Sequence, residues 1–65
     1  MNQSELIINP QDYNLTLLQL ESISSEYLGK CLDVVFGDEL HIEFDNFSNR
    51  VKFLEVINYS FRKKD

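Results

Sequence analysis

Residues 40–45 alternate strictly, with Leu40, Ile42 and Phe44 on one parity and His41, Glu43 and Asp45 on the other. That period of two is the mark of a strand with one buried and one wet face, and it predicts a sheet as the centre of the fold. In residues 51–61 the odd positions carry Val51, Phe53, Glu55, Ile57, Tyr59 and Phe61, a β-branched and aromatic run that reads as a long second strand. Phe53, Ile57 and Phe61 also recur every four residues, so a helix is the alternative there. A turn at Ser48-Asn49 would set Phe44 opposite Phe53, Leu40 opposite Ile57 and Asp45 opposite Lys52, and the apolar faces would agree. Upstream, Leu32, Val34 and Phe36 alternate in the same way, and a loop at Gly37-Asp38-Glu39 would add them as a third strand.

Residues 13–28 admit two readings. Tyr13, Leu15 and Leu17 followed by Leu18, Leu20 and Ser22 on the other parity describe a strand with a bulge, then an irregular or helical turn over 24–28. Alternatively Leu17, Leu20, Ser24 and Leu28 form one helical stripe, closed by Gly29 as a C-terminal cap. The first reading is preferred, and the expected fold is mainly β. It is a small antiparallel meander of three to four strands, with one short helix within residues 15–28 as the α+β alternative. The 65 residues form a single small domain whose ends, 1–4 and 62–65, are expected to fray.

A chain this short needs a staple, a partner or an efficient core. The single cysteine, Cys31, can close no internal disulfide and cannot build a cysteine-based zinc site. The first eight residues carry no Lys or Arg and only a three-residue apolar run, and no stretch has the length of a membrane span, so a cytoplasmic location is expected. In that setting the Asn-x-Ser/Thr triplets at Asn2, Asn14, Asn46 and Asn58 read as turn chemistry.

Charge is distributed unevenly. The net charge is -5, but residues 1–45 hold nine carboxylates against Lys30 alone. Residues 46–65 hold Arg50, Lys52, Arg62, Lys63 and Lys64 against Glu55 and Asp65. An acidic body repels a phosphate backbone and suits a cationic protein surface.

Four residues gather on the polar side of the expected hairpin: Asp33, His41, Glu43 and Asp45, with Asp33 opposite Glu43. Opposed carboxylates destabilise a sheet unless a cation lies near. Three readings follow: a weak divalent-metal site, a solvated acidic face partly neutralised by Lys52, or a docking patch for a basic partner, and the patch is preferred to the metal. The same side chains make a poor acid/base pair, since a small sheet with its polar face outward offers no deep pocket. Two glycines cannot furnish a phosphate loop, there is no second histidine, and Cys31 beside Lys30 reads as a small strand residue.

The expected function is therefore non-enzymatic and needs no cofactor or metal. The chain reads as an interaction module, an acidic inhibitor or regulatory protein of the size and charge found among immunity proteins, antitoxins and anti-defence proteins. A homo-oligomeric structural or assembly protein is the first alternative. Self-association as a dimer is expected through Phe53, Ile57, Tyr59 and Phe61, because a long final strand would leave half its backbone groups without partners. A single-stranded nucleic-acid binder, stacking bases on Tyr13, Tyr27 and Tyr59 beside Arg62, Lys63 and Lys64, is the second alternative.

Overall fold

A computed structural model of the chain describes residues 3–31 and 39–64. The elements run β1 (Glu5–Ile8), a 3-10 turn (Pro10–Asp12), α1 (Leu17–Glu26), β2 (Lys30–Cys31), β3 (Leu40–Glu43) and α2 (Phe47–Ser60). The strands form one antiparallel sheet in the order β1-β3-β2. This is an α+β fold and not the mainly β meander expected from the sequence. The third strand expected over 32–36 lies outside the described residues.

The largest correction concerns residues 51–61, which form most of α2. β1 pairs along the whole of one edge of β3, and β2 pairs with its Ile42–Glu43 end on the other, so a long strand has no continuous edge to join among the described residues. A helix instead satisfies its backbone groups internally. The Asn46–Asn49 region is accordingly not a hairpin turn but a helix start: the Asn46 side chain accepts from the Asn49 N–H at 2.9 Å as the N-cap. Phe53 and Ile57, four apart, are fully buried, with Leu54 packed beside them. Glu55 and Tyr59, which share their strand parity, lie exposed. Phe44 does meet Phe53, with ring centroids 5.2 Å apart, but between the layers and not as a cross-strand pair. Leu40 pairs with Ile8.

Residues 17–26 likewise form a helix where a bulged strand was preferred. Thr16 and Gln19 make a reciprocal capping box, each side chain accepting from the other's backbone N–H. The inward stripe is Leu20 and Ser24, fully buried, with Ile23 and Tyr27 partly buried beside them, whereas Leu17 and Leu28 of the expected stripe point to solvent. Ser24 is tolerated at full burial because its hydroxyl donates to the Glu21 carbonyl at 2.8 Å and lies 3.4 Å from Cys31 Sγ. Leu6, Ile8, Leu40, Ile42 and Phe44 meet Leu20, Phe53, Ile57 and Tyr13 in one core. Both helices thus cover the same side of the sheet.

At the end of α1 the roles of Leu28 and Gly29 are the reverse of the expected cap. The Gly29 N–H donates to the Ser24 carbonyl at 2.7 Å and the Leu28 N–H to the Ser25 carbonyl at 3.1 Å, the paired bonds of a Schellman motif. The left-handed residue in it is Leu28, with φ 61°. A leucine there costs about 1–2 kcal/mol that glycine avoids, partly offset by the greater freedom of glycine in the unfolded chain. Leu28→Gly is therefore expected to stabilise the protein by about 0.5–1 kcal/mol, since the leucine side chain is mostly exposed and little burial is lost. Thermal unfolding followed by circular dichroism should show a midpoint raised by roughly 3–6 °C, and a lowered midpoint would mean that the Leu28 side chain has packing worth more than its strain.

The chain end is tied to the segment before α1. The Asn14 N–H donates to the Phe61 carbonyl at 2.7 Å, the Lys63 N–H to the Asp12 carbonyl at 2.9 Å, and Tyr13 and Arg62 form an isolated antiparallel bridge.

Candidate interaction face

Because the helices share one side of the sheet, the opposite side is left without a covering element among the described residues. Alternation along β3 sends His41 and Glu43 to that outer side and Leu40 and Ile42 to the core. The register then decides their neighbours. Glu43 lies between Glu5 of β1 and Lys30 of β2, and His41 lies opposite Ile7. Glu5, Lys30 and Glu43 are exposed, His41 is half-buried, and Ile7 is 49% exposed. Just before the strand, the Glu39 carboxylate lies 3.9 Å from His41 Nε2.

The sequence-derived site is therefore partly reassembled. His41 and Glu43 share the face as expected, and Asp45 is exposed two residues beyond the end of β3. Asp33 falls outside the described residues, and both strand positions opposite Glu43 are occupied by other residues. The opposed carboxylates of this sheet are Glu5 and Glu43, and the neighbouring cation is Lys30 on the adjacent strand. Lys52, the neutraliser expected from the hairpin, is exposed on α2 in the helical layer. Glu5, Ile7 and Lys30 were missed because β1 reads Glu-Leu-Ile-Ile, where consecutive apolar residues hide the alternation, and β2 has only two residues.

The self-association set does not form one surface. Phe53 and Ile57 are sealed in the core of the single chain, Phe61 is half-buried, and only Tyr59, 94% exposed, is free to meet another molecule. The argument from an unpaired long strand falls with the strand. The aromatic platform of the nucleic-acid reading is also dispersed. Tyr13 is buried, its hydroxyl donating to Asn58 Oδ1 at 2.7 Å, and Tyr27 packs edge-on against Phe53 at 6.4 Å. Arg62 is drawn into the same group, 5.8 Å from the Tyr13 ring centroid and donating to Asn58 Oδ1 at 3.4 Å.

Cys31 is half-buried beside Ser24, opposite Ile42 in the ladder. An open depression of about 640 Å³ runs along α2, where the described lining is Glu55, Val56, Asn58, Tyr59 and Ser60. Among the described residues no group of three or more His, Cys, Asp or Glu side chains is placed to hold a metal ion, and no helix is long and apolar enough to cross a membrane. A scan against protein-family models, a search of curated proteins and a search of solved structures each return no match.

Proposed function

We propose that this protein is a non-catalytic interaction module, an acidic inhibitor or regulatory protein that docks on a basic protein surface through the outer face of its sheet. The observation that carries this reading is the face left uncovered among the described residues, where an exposed Ile7 sits among Glu5, Glu43 and the Glu39–His41 pair. A small apolar centre with a charged rim is the anatomy of a protein interface. The concentration of carboxylates in residues 1–45 adds long-range attraction for a cationic partner, which speeds encounter and sets orientation.

The test uses Glu5→Gln with Glu43→Gln, which removes the opposed carboxylates without altering side-chain shape. Relief of like-charge repulsion should leave stability unchanged or raise it by about 0.2–1 kcal/mol, so folding and binding are separated. Wild-type and double-variant protein are immobilised as paired baits in an extract of the native host. A cationic protein should be retained by the wild type, lost at high salt, and retained at least about tenfold more weakly by the variant, with most of the loss in association rate. Equal retention of the same protein by both baits overturns the proposal, as does a wild-type bait that retains no cationic protein.

A further inference from the structure

We infer that two copies of this chain pair through the outer edges of their β1 strands, making one six-stranded sheet in the order β2-β3-β1-β1-β3-β2. The inference rests on backbone geometry and does not depend on the docking reading above. The Phe44 N–H donates to the Ser4 carbonyl at 2.8 Å, on the same diagonal as the Leu6↔Ile42 and Ile8↔Leu40 pairs. Antiparallel ladders alternate between pairs that exchange hydrogen bonds and pairs that do not. Leu6 and Ile8 therefore aim their N–H and C=O groups at β3, and Glu5 and Ile7 aim theirs away, at an edge that has no neighbouring strand among the described residues.

Apart from being short, as β1 is with four residues, protected edge strands usually carry an inward charge, a lysine, a proline or a bulge. β1 has none of these. Three of its four residues are apolar, its one charge is at the end, and Ile7 stands 49% exposed in its middle. Such an edge is a template for another strand, and its own copy fits in one register better than in the others. With the two-fold axis at Ile7, the two Ile7 residues face each other as a hydrogen-bonded pair and each Leu6 lies opposite the partner's Ile8.

In that register Glu5 lies opposite the partner's Asn9, so no carboxylate faces a carboxylate. A shift of one residue would set edge-directed backbone groups opposite groups already bonded to β3. Placing the axis at Leu6 would bring the two Glu5 side chains to diagonal positions about 7–8 Å apart, and placing it at Glu5 would set them directly opposite. Moving it to Ile8 shortens the overlap, because Pro10 begins a 3-10 turn. The axis at Ile7 runs perpendicular to the sheet, so the two helical layers lie on one side of the dimer and the two acidic faces on the other.

Four residues per strand bury little area, so the dimer is a weak one. Sedimentation equilibrium from low micromolar to millimolar protein should show the 7.7 kDa chain passing to twice that mass. Ile7→Lys should raise the dissociation constant at least about tenfold while the helical circular dichroism is kept, because position 7 is outside the core. Should Ile7→Lys fail to fold, chain assembled by chemical ligation with an N-methyl group on Ile7 decides the matter, since it blocks the edge donor and leaves every bond to β3 intact. A wild-type chain that stays monomeric to millimolar concentration overturns the inference. So does a dimer that survives edge blocking, which would place association elsewhere, as at Tyr59.

Discussion

Phe53→Ala is expected to remove a large part of the protein's stability. Phe53 is fully buried at the centre of the aromatic cluster, 5.2 Å from the Phe44 ring and 6.4 Å from the Tyr27 ring between centroids. Truncating a buried phenylalanine costs about 3–5 kcal/mol through lost burial and the cavity left behind. A 65-residue domain holds a total of roughly 3–10 kcal/mol, so the substitution removes much or all of it. Urea titration monitored at the helical circular dichroism band measures the loss directly. Tyr59→Ala is the matched control on the same helix: at 94% exposure it should change stability by less than about 0.5 kcal/mol. Equal costs at the two positions would contradict the orientation of α2, because a strand, unlike this helix, puts 53 and 59 on one face.

Gly29→Ala is expected to destabilise by about 2–3 kcal/mol, which corresponds to a midpoint lowered by roughly 8–20 °C. A methyl group at that position would meet Phe44 Cε1 at 2.7 Å, Phe44 Cδ1 at 3.0 Å and the Ser24 carbonyl oxygen at 3.0 Å. Neither neighbour can retreat easily. The Phe44 ring is buried against Phe53, and the Ser24 carbonyl is held by the Tyr27 and Gly29 N–H groups that close α1. If the ring contact dominates, Phe44→Leu should cost less in the Gly29→Ala background than alone, and a double-mutant cycle by thermal unfolding reads that coupling. Strict additivity would place the cost in the backbone contact instead.

These two sites also show why the sequence misled. Gly29 has the position of a helix-capping glycine, yet it is required for close approach of an aromatic ring that lies fifteen residues away in the chain. Leu28 takes the left-handed conformation in its place. In residues 51–61, strand and helix periods coincide at Phe53, Ile57 and Phe61, and β-branched side chains favour the wrong one. The decisive local signals were polar: Asn46 as N-cap and Thr16 with Gln19 as a capping box. Both stood in stretches that also suit turns and bulged strands.

By itself the sequence determined the strand at β3, the inward and outward residues along it, the placing of His41 and Glu43 on one face, and the separation of charge along the chain. Those properties follow from a strict period of two and from composition, which need no knowledge of neighbours. Tertiary structure alone decided what lies beside β3. Pairing with β1 along one edge and with β2 at the Ile42–Glu43 end of the other left no continuous edge for a long partner among the described residues, and residues 47–60 form a helix across the inner face. The same pairing set Glu5 and Lys30 on either side of Glu43 and Ile7 opposite His41. A strand fixes its own faces by backbone geometry, but its register and neighbours are set by the burial of the whole sheet, and that is a property of distant residues meeting.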